Sequence, residues 1–153
     1  MNTHSIHIEA PLNDEERDTL RAGMRRYIEQ HVPWETYEEL TIVLRDSSGQ
    51  FFGVAMGDAG RGWLKVVMLW VHEDVRCNGH GEQLLNTLES EAIKRGCRNA
   101  FLDTFDYQAK PFYEKRGYKV FGTLEDYPAG HSRYYMRKQL ATQHSPRLNL
   151  GAR

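Results

Sequence analysis

The sequence predicts a single α/β domain, a mixed sheet flanked by helices. The chain has 153 residues, a length typical of one soluble domain. Segments with strand and helix periods follow in the order strand, helix, helix, three strands, helix, strand, helix, two strands. At the centre, an apolar run leads into an amphipathic segment and then a further strand, the strand-helix-strand unit of α/β proteins.

The N-terminal part is predicted to hold one short strand and two helices. Residues 5–10 alternate well enough for a strand. Asn13 and Glu16 have the spacing of a capping box at the start of a helix. The apolar stripe of that helix consists of Leu20, Met24, Tyr27 and Ile28. It should end before Pro33, and residues 33–40 should form a second, short helix.

Three strands are predicted next. Residues 40–45 and 51–56 form a hairpin around a turn at Ser48 and Gly49. A glycine-rich turn then leads into residues 63–71, and its glycines are Gly57, Gly60 and Gly62. Because residues 63–71 are almost wholly apolar, we expect a central strand covered on both faces.

The second half begins with a strongly periodic helix from Gly81 to a terminating glycine at Gly96. Its apolar stripe consists of Leu84, Leu85, Leu88, Ala92 and Ile93. Residues 99–105 are the next strand, and a short helix runs from Pro111 to Gly117.

The chain closes with a predicted antiparallel pair, residues 118–122 and 132–138. Residues 141–153 lack an apolar period and contain Pro146 and Gly151. We therefore assign residues 1–140 to the domain and 141–153 to a flexible tail.

Composition excludes several classes of protein. Two cysteines are too few for a secreted disulfide framework, and neither has metal-ligand spacing with a histidine. The chain has no apolar run long enough to span a membrane, and its start does not resemble a signal peptide. No basic stripe with interleaved aromatic residues indicates nucleic acid. We expect a cytoplasmic protein without a metal, membrane or nucleic-acid partner.

The net charge of −1 hides an asymmetry along the chain. Residues 1–75 contain 7 Lys and Arg against 13 Asp and Glu, whereas residues 76–153 contain 13 against 8. Such asymmetry can mark a polyanion site in the basic half, although solvated charges also cluster by chance.

The segment from Val71 to Gly81 carries the clearest chemistry. A buried strand runs into Arg-Cys-Asn-Gly-His-Gly and then into an amphipathic helix. Glycines at such a junction allow positive φ and close backbone approach. The amides at the positive end of the helix dipole can then bind an anion such as a phosphate. The segment is not a Rossmann fingerprint, because the third spaced glycine is absent. It is not a Walker loop either, because no Lys-Ser/Thr follows the glycines.

Two blocks resemble the Gcn5-related N-acetyltransferase (GNAT) family. Arg76, Gly79 and Gly81 match its Arg/Gln-x-x-Gly-x-Gly/Ala signature, which follows a strand ending here at Val71. Residues 109–118 match its Ala-x-x-Phe-Tyr-x-x-x-Gly-Phe/Tyr helix. The resemblance covers about residues 5–140. It implies a mostly antiparallel sheet whose central strands, residues 63–71 and 99–105, splay apart to admit acetyl-CoA.

The same resemblance implies the residues that bind acetyl-CoA. Pantetheine would bond to the backbone of the central strand, and the pyrophosphate would lie on the amides of residues 76–81. An amide at the strand end would stabilise the thioester oxyanion. The predicted cofactor-binding residues are Leu69, Trp70, Val71, Arg76, Cys77, Asn78, Gly79, His80, Gly81, Asp106 and Tyr113. Asp106 stands where the family commonly has Asn.

Catalysis in the family needs an acid for the departing thiolate and a base for the amine. Tyr113 matches the acid, and a phenol stays protonated at neutral pH; the alternative is a core aromatic residue. The strand positions that often supply the base hold Lys65 and Val67 here. The candidates left for the base are His72, Glu73 and Asp103, each of which could instead be a surface or structural residue.

The acceptor is predicted to be a small cationic amine. Carboxylates interleaved with aromatic residues suit a cation, although any single one could belong to a solvated face. The candidate substrate-binding residues are Trp34, Glu35, Tyr37, Glu38, Asp103, Glu125, Asp126 and Tyr127. Residues 123–138 also resemble the branch that acetylates small antibiotics, including aminoglycoside-like compounds such as kasugamycin.

The leading hypothesis is therefore an acetyl-CoA-dependent N-acetyltransferase in which the amine attacks the thioester directly. Neither cysteine has the nucleophile-base arrangement that an acyl-enzyme requires. A protein or peptide amine as acceptor and a non-catalytic CoA-binding module are the alternatives. A homodimer is possible in this family.

Overall fold

The computed structural model describes residues 4–140. The chain divides into an N-terminal unit, Met1–Glu35, and a main unit that begins at Thr36. The predicted tail, residues 141–153, lies outside the described residues.

In the N-terminal unit, the described residues form one helix, α1 (Asp14–Glu29). The predicted capping box is present: the Glu16 amide donates to Asn13 Oδ1 and the Asn13 amide to Glu16 Oε2, both at 2.9 Å. These bonds satisfy amides that have no partner within the helix. Near the end of the helix, the Arg25 guanidinium pairs with Glu29 and lies 5.5 Å from the centroid of the Trp34 ring.

Two predictions for the N-terminal part are wrong. Residues 5–10 are not part of a strand. Their alternation fits a strand, but a strand also needs a neighbour for its backbone hydrogen bonds, which alternation does not supply. Residues 33–40 do not form a helix, and a strand begins at Glu38. Alternation at Leu40, Ile42 and Leu44, with Leu40 buried, sets the backbone there.

The main unit, over the residues described, is a six-stranded sheet with two α-helices. Its strands are β1 (Glu38–Arg45), β2 (Phe51–Gly60), β3 (Trp63–Val71), β4 (Asn99–Phe105), β5 (Lys119–Glu125) and β6 (Ser132–Gln139). The helices are α2 (His80–Lys94) and α3 (Lys110–Glu114), and a 3₁₀ turn spans Glu73–Val75. The strand order is β1-β2-β3-β4-β6-β5, antiparallel except between β3 and β4. The predicted mixed, mostly antiparallel α/β fold is confirmed.

The predicted glycine-rich turn is shorter than expected, because β2 continues to Gly60. Gly57 is inside the strand, where an added Cβ would lie 2.8 Å from Leu64 Cδ1 and from the Lys65 carbonyl oxygen. Glycine is therefore needed here for close packing, and the turn itself is Arg61 and Gly62.

The core lies between α2 and one face of the sheet. The predicted stripe of α2 is buried there, with Leu85, Leu88 and Ala92 inaccessible to solvent. The sheet residues of the same cluster include Ala55, Leu64, Val66, Ala100, Leu102 and Met136. Because the side chains of a strand alternate, the residues between these in sequence lie on the opposite face of the sheet, away from α2.

The central strands separate after a short ladder. β3 pairs with β4 only from Trp63 to Lys65, opposite Asn99 to Phe101. A register shift in the β2–β3 ladder, at Met56/Gly57, makes Val67 an extra residue in β3. From there to Val71, β3 runs on without β4 beside it, so a gap opens between the two strands. This is the splay that the family resemblance implied.

A buried polar group joins α2 to the two C-terminal strands. Glu89 is 7% exposed, and its carboxylate accepts hydrogen bonds from Tyr118 Oη at 2.8 Å and Lys138 Nζ at 2.7 Å. A buried carboxylate is stable only when its oxygens are paired in this way.

Candidate active site

A cavity of about 480 Å³ opens where β3 ends and α2 begins. Its walls come from the end of β3, the loop into α2, the first turn of α2 and one side of α3. The lining residues are Leu69, Val71, Val75, Arg76, Cys77, Gly79, His80, Gly81, Glu82, Ala109, Phe112, Tyr113 and Arg116. Both sequence blocks, far apart along the chain, therefore meet at one cavity.

The loop into α2 is shaped for backbone contacts to a ligand. Gly79, the N-cap of α2, has φ 80°, and Cys77 has φ 62°. Positive φ at Gly79 costs nothing sterically, whereas most other residues would be strained. The amides of a first helical turn have no acceptor within the helix, and no side chain caps α2. The wall therefore presents the positive end of the α2 dipole to the cavity.

The backbone of β3 faces the gap at two residues. Antiparallel strands alternate between residue pairs that exchange hydrogen bonds and pairs that do not. The His72 amide donates to the Phe52 carbonyl at 2.8 Å, so this pair is hydrogen-bonded. By alternation, the peptide groups of Leu69 and Val71 point away from β2 and toward the gap. Arg76 Nε donates to the Val71 carbonyl at 2.8 Å, which fixes the guanidinium beside the cavity.

Tyr113 lies on α3 and is 8% exposed. The rings of Phe112 and Tyr118 pack edge-on against it, with centroids 5.2 and 5.7 Å away. Burial, assisted by the negative charge of Asp103, raises the pKa of Tyr113 to about 12. The phenol is therefore a neutral hydrogen-bond donor throughout the physiological pH range.

Arg116 and Phe112 complete the cavity wall and were not among the predicted site residues. The Arg116 Cζ atom lies 3.6 Å from the centroid of the Phe112 ring, and Nη2 pairs with Glu82 at 3.1 Å. Arg116 Nε and His80 Nδ1 are buried without a hydrogen-bond partner in the described part of the chain. An unpaired buried nitrogen costs about 1–3 kcal/mol, so a ligand or an ordered water in the cavity would give both atoms a partner.

Asp103 and Arg133 form an ion pair at the far end of β4. Both Nε and Nη2 of Arg133 contact the same carboxylate oxygen, Oδ2, with Nε at 2.7 Å. The guanidinium carbon is also 5.2–5.6 Å from three ring centroids, those of Phe105, Tyr127 and Tyr135. Asp103 and Tyr127 were predicted as site residues; Arg133 was not. We call these five residues the Asp103–Arg133 cluster.

Several other predicted residues do not line the cavity. Trp70 stacks on Phe51, with centroids 5.9 Å apart. The Asn78 side chain donates to the Val75 carbonyl at 3.5 Å. Asp106 accepts from the Ser132 amide at 3.2 Å and lies 3.0 Å from His131 Nδ1, so it fastens the end of β4 to β6.

The predicted base candidates His72 and Glu73 follow β3 directly. His72 Nδ1 accepts from the Asp74 amide at 3.3 Å, and the ring is edge-on to Phe52 and Trp70. Val71 lines the cavity on the α2 side. Because successive side chains of a strand point to opposite faces, His72 lies on the sheet face away from α2. Glu73 is exposed in the 3₁₀ turn.

The chain belongs to the GNAT family. The model of the acetyltransferase (GNAT) family matches residues 6–118, which include the loop into α2 and the whole of α3. Blasticidin-S acetyltransferase of Streptomyces morookaense is 32% identical over 130 residues, 84% of this chain and 93% of that protein.

Two solved structures are also similar to this GNAT chain. An acetyltransferase from Bacillus cereus is 35% identical with a TM-score of 0.79, over 88% of this chain and 98% of that one. A structure described as a putative acetyltransferase from Agrobacterium tumefaciens is 29% identical with a TM-score of 0.77, over 89% and 99%. The prediction that the chain is an acetyltransferase is confirmed.

The predicted substrate residues of this GNAT chain are not all in one place. Glu38 pairs with Arg95 at 2.8 Å, at the end of α2 that is remote from the cavity. Tyr37 lies over Gly60 and lines a different cavity, with Trp63 and Phe101. Trp34 and Glu35 belong to the N-terminal unit.

Near the Asp103–Arg133 cluster, the loop after β5 holds the remaining candidates. Asp126, with φ 52°, accepts from the Gly130 amide at 3.2 Å and shapes the loop, and Glu125 ends β5 opposite Ser132.

Within residues 4–140, no helix is both long and apolar enough to cross a membrane, and no three potential metal ligands cluster.

Proposed function

We propose that this enzyme transfers the acetyl group of acetyl-CoA to the primary amine of a small molecule. The observation that carries the proposal is the meeting of the Arg76–Gly81 loop and Tyr113 at one cavity, beside a gap between parallel strands.

The donor would occupy the cavity and the gap. The amides at the start of α2 bind the pyrophosphate at the positive end of the helix dipole, and the fixed guanidinium of Arg76 adds a positive charge. Pantetheine extends along β3, where it takes the place of a neighbouring strand and bonds to the peptide groups of Leu69 and Val71. The side chains of Trp70 and Asn78 do not line the cavity, so they are not part of the proposed donor site.

The chemistry is a direct acyl transfer. The neutral amine attacks the thioester carbonyl, and a strand amide at Leu69 or Val71 stabilises the developing oxyanion. The C–N bond forms, the C–S bond breaks, and the thiolate takes the proton of Tyr113. The nitrogen releases its proton to solvent, and the phenol is reprotonated from solvent, so the products are the acetamide and CoA thiol.

Tyr113 can act as the acid despite its raised pKa. An ordinary alkyl thiol has a pKa of about 8.5, so transfer from a phenol with a pKa of about 12 to a solvated thiolate would be uphill. A thiolate that forms in the gap is also removed from water, which raises its basicity. Tyr113 therefore donates a hydrogen bond as charge develops and completes the transfer inside the site.

The amine has to arrive at the thioester without its extra proton. An alkylammonium has a pKa of about 10 and must lose a proton before its nitrogen can attack, whereas the carboxylate of Asp103 can hold the ammonium as an ion pair. His72 and Glu73 are the alternative proton acceptors, and neither lines the cavity. We propose that solvent takes the proton and that Asp103 positions the amine.

A small acceptor fits the structure better than a peptide. The Tyr127 ring, from the loop after β5, lies against Arg133 and 6.0 Å from the Phe105 ring, so the loop folds onto the end of β4. A peptide acceptor would need that loop to fold away and leave a groove. The similarity to a blasticidin-S acetyltransferase supports an antibiotic amine, and the kasugamycin-like acceptor, the cytoplasmic location and the homodimer stay predictions.

The proposal is tested by an acetylation screen. Purified full-length protein is incubated with acetyl-CoA and blasticidin S, kasugamycin, other aminoglycosides, polyamines or short peptides. Thiol release gives the rate, and mass spectrometry detects the added acetyl group. We expect turnover of at least one small-molecule amine and tight binding of acetyl-CoA by calorimetry. Failure to bind acetyl-CoA, or acetylation of peptides alone, would contradict the proposal.

A further inference from the structure

The Asp103–Arg133 cluster stands apart from the residues that would hold acetyl-CoA. Arg133 lies on β6 directly opposite Phe105 of β4, and its side chain reaches diagonally to Asp103. Both side chains of the ion pair remain partly accessible, with 28% of Asp103 and 24% of Arg133 exposed. A pair that served only to hold two strands together would gain little from this exposure, since solvent weakens ion pairs.

The ion pair leaves binding capacity unused on both partners. Arg133 directs Nε and Nη2 to a single oxygen, Asp103 Oδ2. Within residues 4–140, Asp103 Oδ1 and Arg133 Nη1 make no further hydrogen bond. A carboxylate offers about four acceptor positions and a guanidinium five donors, so each can bind one more group of opposite charge.

The position of the cluster relates it to the reaction. The β3–β4 ladder ends at Phe101, and Asp103 is the next residue of β4 on the same face, at the mouth of the gap. Its negative charge acts on the phenol of Tyr113. The cluster lies on the sheet face opposite α2, whereas the cavity lies on the α2 side. An acceptor bound at the cluster would thus approach the thioester from the side opposite to the donor.

The charge balance of the cluster decides which acceptor it suits. Arg133 already neutralises Asp103, so a polycation would have to compete with the guanidinium for the carboxylate. An acceptor with an ammonium and a carboxylate extends the pair into an alternating row, with its ammonium on Asp103 and its carboxylate on Arg133. Desolvated charges must be paired in this way to be bound at low cost.

We infer that Asp103 and Arg133 form an acceptor subsite that selects amines which also carry a carboxylate. Phe105, Tyr127 and Tyr135 hold the guanidinium in place through their rings. The inference rests on the proposed acetyl transfer and refines the predicted cationic acceptor to an amphoteric one. Arg133 is its specificity-determining residue, and Asp103 positions the amine.

Matched acceptors test the inference. The wild-type protein is assayed with lysine against lysinamide and cadaverine, and with ornithine against ornithinamide and putrescine. We expect kcat/KM to be at least about 10-fold higher for the amino acids, a modest factor for one charge-assisted contact. Arg133→Gln should remove this preference mainly by raising KM for the amino acids, and Arg133→Lys should restore part of it. Asp103→Asn should raise KM for all the acceptors.

The control is Arg137→Gln, which changes an arginine on the same face of β6 that lies over the Phe121 ring instead. It should leave the preference intact. Acetyl-CoA affinity, measured by calorimetry on every variant, separates the two proposals. Loss of acetyl-CoA binding in the wild type would contradict the acetyl transfer itself. Normal acetyl-CoA binding with no acetylation of the amino acids overturns the inference alone. An Arg133→Gln variant that lowers kcat/KM equally for an amino acid and for its amide and diamine overturns it as well.

Discussion

Burial of Tyr113 favours the acid role over a mere packing role. A core phenol without function would be expected to find a hydrogen-bond partner, as Tyr118 does with Glu89. Tyr113 has no such partner within residues 4–140, although it contacts the cavity that the donor would fill. A bound thioester or thiolate would supply the missing acceptor.

Replacing Tyr113 with Phe should lower kcat about 100-fold and leave the affinity for acetyl-CoA nearly unchanged, since the ring still fills the core. Steady-state kinetics and calorimetry measure the two effects. Tyr118→Phe is the matched control: it removes a buried hydroxyl from the neighbouring ring and should lower Tm without a comparable loss of kcat. Unchanged turnover in Tyr113→Phe would exclude the phenol as the acid.

The pH dependence of the reaction follows from the same residue. With a pKa of about 12, Tyr113 stays protonated up to about pH 11, so it contributes no falling limb in the usual range. The rate at limiting acceptor should therefore rise with pH as the amine loses its proton and then level off. A decline between pH 8 and 10 that is absent in Tyr113→Phe would show that the phenol titrates much lower.

The loop into α2 contains two glycines that are needed for different reasons. Gly79 needs its positive φ, whereas Gly81 has no such requirement. An added Cβ at Gly81 would make ordinary contacts, 3.5 Å from Phe112 Cε2 and 3.8 Å from Val71 Cγ2. The protein alone therefore tolerates alanine at Gly81, and only a ligand in the cavity would not.

Gly81→Ala should keep the Tm of the wild type but weaken acetyl-CoA binding about 10-fold or more. This is the effect expected when the added methyl group displaces one contact between the donor and the loop into α2. Gly79→Ala should lower stability by about 1 kcal/mol through backbone strain. Gly96→Ala, at a positive φ beyond the other end of α2, should cost the same stability without any effect on binding. Thermal unfolding and calorimetry distinguish the cases, and full affinity in Gly81→Ala would mean that the donor lies elsewhere.

Sequence patterns correctly predicted the helices α1 and α2, whose stabilising contacts join residues that are close in the chain. The α2 stripe and the capping box at Asn13 depend on residues three or four apart, and both are correct. The helix predicted for residues 33–40 rests on local sequence alone and is wrong. The alternation that begins at Leu40, together with pairing to β2, makes the backbone extended there.

The candidate site was predictable only where a motif carried it. The glycine loop and Tyr113 were predicted from two blocks, and the structure brings both to one cavity. Arg133 was missed because its contact with Asp103 depends on the β4–β6 register, 30 residues along the chain and diagonal to the direct cross-strand pair. The available signal was an arginine followed directly by Tyr134 and Tyr135, on the strand predicted to follow the loop after β5.

Two buried tyrosines make the stability of the folded protein sensitive to alkaline pH. Burial, together with the charge of Glu89, raises the pKa of Tyr118, and burial raises that of Tyr113. The unfolded chain releases these protons near pH 10, whereas the folded chain holds them to higher pH. The stabilisation is therefore complete below about pH 10 and is lost as the pH rises above it.

Above pH 10, the free energy of unfolding should fall by up to about 1.4 kcal/mol per pH unit for each of the two tyrosines. Urea denaturation between pH 8 and 11.5 measures the slope. Tyr118→Phe should be less stable at pH 8 but lose stability less steeply at high pH. An equal slope in the variant and the wild type would show that Tyr118 does not contribute.

The three-residue ladder between β3 and β4 also has a mechanical meaning. The sheet consists of two three-stranded halves, β1-β2-β3 and β4-β6-β5, and this short seam is the only strand pairing between them within residues 4–140. Each half is braced by long antiparallel ladders, so deformation concentrates at the seam. A donor that bonds along β3 would continue the seam beyond Lys65. The amide hydrogens of both halves should then exchange with solvent more slowly, because the two halves would open as one cooperative unit.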